Sequence, residues 1–171
     1  SIVGGSGRSF GDGAIEDITK SAWDKTLELN LTTTFLTARE AIKYFKSNGP
    51  GSLTLTSSAL ATSPSPEHFK THAYAAAKGA INTLVTTLSS TYLDKKIRVN
   101  AVSPSLVATP MAARAAENQI IREFTSRKQP LVSDQLPVEN VVSGYIYLIE
   151  NPAVTGQVLE IDGGWSAISG V

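Results

Sequence analysis

Ile97-Arg98-Val99-Asn100-Ala101-Val102-Ser103, stopped by Pro104, is the stretch on which the fold turns. It reads as a buried strand, because a run rich in β-branched residues ends at a proline that cannot continue a ladder. Immediately upstream, Ala77, Ile81, Leu84, Val85, Leu88 and Tyr92 recur at helical spacing and form a stripe to be buried against a sheet or a partner helix. Before that helix, Ser52 to Ser57 alternates Leu53 and Leu55 with hydroxyl residues and reads as a second strand, followed by a Pro-containing loop from about Ala59 to Thr71. Strand, helix and strand in that order are the unit of a parallel sheet.

The pattern extends both ways. Trp23, Leu27, Leu31, Phe35, Ala38, Ile42 and Phe45 mark one long amphipathic helix, ended by Asn48-Gly49-Pro50-Gly51, with Asn30 inside it. Downstream, Met111 to Arg127 has helical composition without clean periodicity and reads as a mobile helical excursion within Pro110 to Asp134. Pro137 to Leu148 is a helix with Pro at its start. Val158-Leu159-Glu160-Ile161 is a last strand, ending in Asp162-Gly163-Gly164. The chain opens Ser1-Ile2-Val3 and drops at once into Gly4-Gly5-Ser6-Gly7, which reads as a strand cut near its end and predicts a piece of a longer polypeptide. The expected fold is α/β, a parallel sheet with helices on both faces. Such sheets place ligands at the carboxyl ends of their strands, where Ser57, Ser58 and Ser103 to Thr109 fall.

Composition narrows the function classes. A chain of 171 residues is about one domain. Fifteen basic residues balance fifteen acidic ones, so neither nucleic acid nor a membrane surface is expected as partner. The absence of cysteine removes disulfides, zinc thiolates and thiol chemistry, and agrees with a cytoplasmic setting. No apolar run reaches the about 18 residues of a membrane span, and no leader is recognised.

Tyr74-Ala75-Ala76-Ala77-Lys78 carries the chemistry. A spacing of four on a helix sets phenol and ammonium on one face, one turn apart. A free phenol has a pKa near 10, and a neighbouring positive charge favours phenolate, bringing it toward general acid/base range. Taken alone, the pair is equally an accident of a solvated helix face.

With these elements in order, the chain resembles the short-chain dehydrogenase/reductase family over essentially its whole length. The resemblance rests on Leu29-Asn30-Leu31, Leu55-Thr56-Ser57-Ser58, Tyr74-x3-Lys78, Arg98 to Pro104 running into Val107-Ala108-Thr109-Pro110, Thr155-Gly156-Gln157 and Asp162-Gly163-Gly164. It implies a Rossmann-like fold lacking its first three strands, so that residues 1–171 form the catalytic C-terminal portion of one NAD(P)-binding domain. It further implies hydride transfer between NAD or NADP and a small-molecule ketone or secondary alcohol, in a homo-oligomer. By the same resemblance Tyr74 gives the proton, Ser58 rather than Ser57 holds the carbonyl oxygen, and Lys78 lowers the phenol pKa and binds the nicotinamide ribose. Asn30 holds a water for proton refill, while Gly5, Pro104, Val107 and Thr109 line the cofactor. A non-catalytic remnant serving oligomerisation, or an interaction module on the same scaffold, are the competing readings.

Departures from the family pattern are specific. Tyr74 lies sixteen residues after Ser58, a longer spacing than usual, absorbed by the Ala61 to Thr71 loop. Gly5 and Ser6 stand where Asn and Ala are usual. Ser105 replaces the usual Gly, a change that can demand a less favourable backbone angle. Ser6-Gly7-x3-Gly11-x-Gly13 imitates a phosphate turn, but Asn30 follows Gly13 too soon for the intervening strands, so a flexible turn into the helix is expected. No metal site is expected: His68 and His72 read as solvated loop residues without a third ligand. Trp165 reads as either a core or a subunit-contact aromatic.

Overall fold

Residues 20–48 form one helical run, as the periodicity predicts, but the run is not uniform. In the computed structural model, which describes residues 4–168, α1 (Lys20–Leu27) passes through a π-helical turn (Glu28–Thr32) into α2 (Thr33–Asn48). Thr19 starts it by accepting from Ala22 N, which satisfies an otherwise orphaned amide. Gly49, at φ 108°, ends it in a backbone region that favours glycine. The expected strand at Ile2-Val3 lies outside the described residues.

The chain then lays down β1 (Gly51–Thr56), α3 (His72–Thr91), β2 (Ile97–Pro104), α4 (Ala113–Glu117), α5 (Gln119–Lys128), α6 (Val138–Glu150) and β3 (Val158–Ile161). The strands pair in parallel in the order β1-β2-β3, with Leu53 opposite Val99, Leu55 opposite Ala101 and Ala101 opposite Val158. This is the strand-helix-strand reading of residues 52–103 realised, and it makes the sheet Rossmann-like.

Alternation along the strands decides what covers each face. Leu53, Leu55, Ile97, Val99 and Ala101 point to one side, where they form the main core with Ala38 and Ile42 of α2 and Ile81 and Val85 of α3. The other side receives α6. There Gly144 comes so close to the sheet that a Cβ would meet Ile161 Cγ1 at 2.9 Å. Arg98 reaches from β2 to the carbonyls of Leu148 (2.7 Å) and Ile149 (2.6 Å), placing a cation at the negative end of the α6 dipole. Helices therefore flank both faces.

The 110–134 excursion is helical, but packed rather than loose. Ile121 and Phe124 of α5 are buried, and Phe124 joins Ala59 and Trp165 in a second apolar cluster. Trp165 is thus a core aromatic, with its indole N–H donated to Ser63 O at 3.1 Å. His68 is likewise no solvated residue: its ring meets Phe124 edge-on at 4.8 Å, while His72 is exposed at the start of α3. Among the described residues no three His, Cys, Asp or Glu gather as a metal site, and no helix is long and apolar enough to cross a membrane.

Candidate active site

At the carboxyl end of β1 the chain presents two serines, and their hydroxyls go different ways. Ser57 is buried and donates to Asn82 Oδ1 on α3 at 2.5 Å. Ser58, in extended backbone, accepts from Leu60 N at 3.3 Å, and its hydroxyl faces Tyr74, where it acts to lower the pKa of the phenol. Of the two, it is Ser58 that meets Tyr74.

α3 sets Tyr74 and Lys78 on one face, with Lys78 Nζ 5.5 Å from the centroid of the phenol ring. The ammonium donates to Thr56 O at 2.9 Å and is 3% exposed. Burial lowers its pKa to about 8, so most of it remains protonated at neutral pH. For Tyr74 the balance differs from the sequence expectation. Desolvation pushes the phenol up and exceeds the opposing effect of the Ser58 hydroxyl. A neutral, desolvated phenol holds its proton at neutral pH, as a general acid must.

Asn30 is fully buried within the π-helical turn, a distortion that recurs at functional sites. Its amide donates to Gly5 O and Thr26 O, both at 2.9 Å, and its oxygen accepts from Gly5 N at 3.2 Å. These bonds make the side chain a brace for the Gly4-Gly5 backbone. Gly4 lies at φ 149°, and a Cβ there would fall 2.4 Å from Asn30 Oδ1 and 3.7 Å from Lys78 Nζ. Glycine is required because φ is positive and the backbone is laid directly against the Asn30 side-chain oxygen, leaving no room for a Cβ.

The loop after β2 forms the opposite wall. Val107 bridges Leu136 in parallel, and Ala108 N donates to Leu136 O at 2.9 Å. Buried Gln129 accepts from Leu106 N and donates to Leu106 O, both at 3.3 Å. Thr109 is exposed, with its hydroxyl turned back to Val107 O at 3.4 Å. Ser105 carries no backbone penalty, since Lys96 and Ser133 are the described non-glycine residues with positive φ. Its hydroxyl donates to Asp162 O at 3.0 Å.

These walls enclose a cavity of about 740 Å³ onto which Gly5, Ser58, Tyr74, Lys78, Pro104, Val107 and Thr109 all open. The volume suits a small organic ligand. Asn30 stands behind it, beneath Gly4 and Gly5.

Asp12 went unrecognised in the sequence. The turn through Gly7 and Gly11 buries its carboxylate, which accepts from Ala73 N at 3.0 Å and Tyr74 N at 2.9 Å. Thr71 makes no side-chain cap, so a residue far upstream caps the helix that bears Tyr74. The imitation of a phosphate turn is therefore a structural brace. Arg8 from the same turn and Arg114 from α4 also line the cavity. Neither belongs to a sequence motif.

Known proteins are similar to this chain in sequence and fold. The family model described as enoyl-(acyl carrier protein) reductase matches residues 2–166. The chain is 33% identical over 165 residues to D-beta-hydroxybutyrate dehydrogenase of Rhizobium meliloti, covering 90% of this chain and 62% of that protein. It is 34% identical over 151 residues to 3beta-hydroxysteroid dehydrogenase 1 of Eggerthella lenta, covering 86% of this chain and 56% of that one. A short-chain type dehydrogenase/reductase from Mycobacterium ulcerans superposes with a TM-score of 0.87 at 27% identity, covering 97% of this chain and 58% of the other. A Beutenbergia cavernae protein assigned as an NAD(P)-dependent gluconate 5-dehydrogenase, with bound NADP, superposes at TM-score 0.82 and 28% identity, covering 92% and 62%. The chain thus spans less than two thirds of the length of these proteins.

Proposed function

The chain belongs to the short-chain dehydrogenase/reductase family, and from that premise we propose that the protein transfers a hydride between NAD or NADP and a ketone or secondary alcohol, with Tyr74 as general acid/base. The observation that carries this reading is the convergence of Ser58, Tyr74 and buried Lys78 on one cavity, with the Lys78 ammonium 5.5 Å from the centroid of the Tyr74 ring.

Bound nicotinamide supplies or accepts the hydride, for which the chain has no group of its own. A substrate carbonyl gains negative charge on oxygen as it is reduced, so it needs a donor that can finish as an anion and another that holds the oxygen still. Tyr74 gives the proton and Ser58 holds the oxygen. Lys78 donates to Thr56 O, and its remaining N–H groups would hold the nicotinamide ribose. Its positive charge also stabilises the phenolate left after proton transfer. Gly5, Pro104 and Val107 would line the cofactor, and Thr109 would offer its hydroxyl to it. Asn30 fixes the Gly4-Gly5 wall and orders the solvent path that returns a proton to Lys78.

Homo-oligomerisation belongs to the same proposal, supported by Phe35, Leu36 and Tyr44 exposed on α2. So does a cytoplasmic setting, with which a chain free of cysteine agrees. The deciding experiment is Tyr74→Phe in the full-length protein, assayed with both dinucleotides against a panel of ketones and secondary alcohols. Loss of turnover with cofactor binding retained is expected. Near-normal rates would overturn the role given to Tyr74.

A further inference from the structure

The cavity is electropositive although the chain as a whole has no net charge. Its charged lining residues are Arg8, Lys78 and Arg114, and no Asp or Glu among the described residues lines it. Lys78 is occupied by Thr56 O and by its place beside Tyr74. The two arginines are not so accounted for.

Arg8 Nη2 donates to His68 O at 3.0 Å, and Arg114 Nη2 donates to the same oxygen at 3.3 Å. Two guanidinium groups that share one neutral acceptor are held close together, and like charges at that range repel. Among the described residues neither has a carboxylate within ion-pair distance; the ion pairs lie elsewhere. The nearby carboxylate of Asp12 is committed to the amides of Ala73 and Tyr74. Burial first and Arg114 second lower the pKa of Arg8, with Asp12 opposing, which agrees with a cation short of counter-charge. Phe69 lies beneath Arg114, with the guanidinium carbon 5.8 Å from its ring centroid, so the pair is backed by an aromatic wall. Guanidinium forks match carboxylate and phosphate oxygens geometrically, and an anion between them would relieve the repulsion.

We propose that Arg8 and Arg114 form an anion subsite in the cavity of Ser58 and Tyr74, so that the substrate carries a carboxylate or phosphate in addition to its reacting oxygen. The proposal rests on the redox reading above for the word substrate, but the anion site itself does not. Phe69 and the neighbouring apolar wall receive the carbon chain between the two polar ends.

The test uses the full-length protein and secondary alcohols matched in length, ending in methyl, carboxylate or phosphate. An anionic member is expected to exceed the methyl one at least tenfold in kcat/KM. The better of carboxylate and phosphate identifies the source of the anionic oxygens. Arg8→Gln and Arg114→Gln are each expected to raise KM for the anionic alcohol about tenfold, with kcat for the neutral alcohol and the Kd of the dinucleotide unchanged. Arg114 is exposed, so its variant folds even if that of half-buried Arg8 does not. Equal rates for neutral and anionic alcohols, or variants that weaken dinucleotide binding instead, would overturn the subsite. Calorimetric titration of malonate and of inorganic phosphate separates this proposal from the previous one. Arginine-dependent anion binding without turnover of any alcohol keeps the subsite and removes the redox reading; turnover of neutral alcohols without anion binding does the reverse.

Discussion

Two tyrosines open onto the cavity from opposite faces of the sheet, Tyr74 on α3 and Tyr145 on α6. Both phenols are pushed up by burial, and each shift is opposed by a hydroxyl near the end of β1, Ser58 for Tyr74 and Thr56, which is hydrogen-bonded to it, for Tyr145. Desolvation and a hydroxyl partner therefore do not by themselves make a proton donor of use. The difference lies one helical turn on: Lys78 follows Tyr74 by four residues, whereas Ile149 follows Tyr145. A phenol that gives up its proton needs a cation to receive the charge left behind, and only the α3 tyrosine has one on its own helix.

The sharpest way to break this comparison is to remove each hydroxyl. Tyr74→Phe is expected to lower kcat of the full-length protein by about 10²–10⁴-fold, the usual reach of general acid catalysis. Tyr145→Phe should leave kcat within a few-fold. Comparable losses in steady-state assays of the two variants would show that Lys78 does not set the tyrosines apart.

The helices that carry the tyrosines differ in packing too. Ile81 of α3 is fully buried in the main core, whereas Val142 of α6 is 47% exposed. Ile81→Ala should cost about 2–5 kcal/mol through lost transfer energy and a residual cavity. Val142→Ala should stay within about 0.5 kcal/mol, as surface changes do. Urea denaturation of both variants measures the contrast.

Capping offers a smaller effect. Asp12→Ala removes acceptors from two amides at the start of α3 and should cost about 1 kcal/mol. Amide hydrogen exchange at Ala73 and Tyr74 should quicken, while α6, which Asp12 does not touch, keeps its protection. Unchanged exchange at both amides would remove Asp12 from the support of Tyr74.

Stability should also depend on pH through Lys78, whose pKa falls from 10.5 to about 8 on folding. Between those values the unfolded chain binds more protons than the folded one, so this group makes stability rise with pH across that window. Below about pH 8 its penalty is constant. Lys78→Met should flatten the rise in denaturation midpoints, and an unchanged slope would mean that the ammonium is not desolvated.

Much of the fold was legible in the sequence because helical and strand periodicities are local. The long helix, its Asn30 and the Tyr74–Lys78 spacing fell where the pattern put them, and the strands expected at 52–57, 97–103 and 158–161 lie within one residue of 51–56, 97–104 and 158–161. The π-helical turn at Asn30 was not legible, because its side chain bonds Gly5, a partner 25 residues away. His68 reads as polar loop until Phe124 arrives from α5 to pack against it.

By itself, the sequence determined the kinds and order of the elements and the pairing of Tyr74 with Lys78, since a spacing of four on a helix imposes proximity whatever surrounds it. Only the tertiary structure decided which serine meets Tyr74, that burial rather than the neighbouring cation governs its phenol, and that Asp12 caps its helix. It alone brought Arg8 and Arg114 to one carbonyl oxygen. Desolvation and long-range hydrogen bonds depend on which distant segments close over a residue, and no local pattern encodes that.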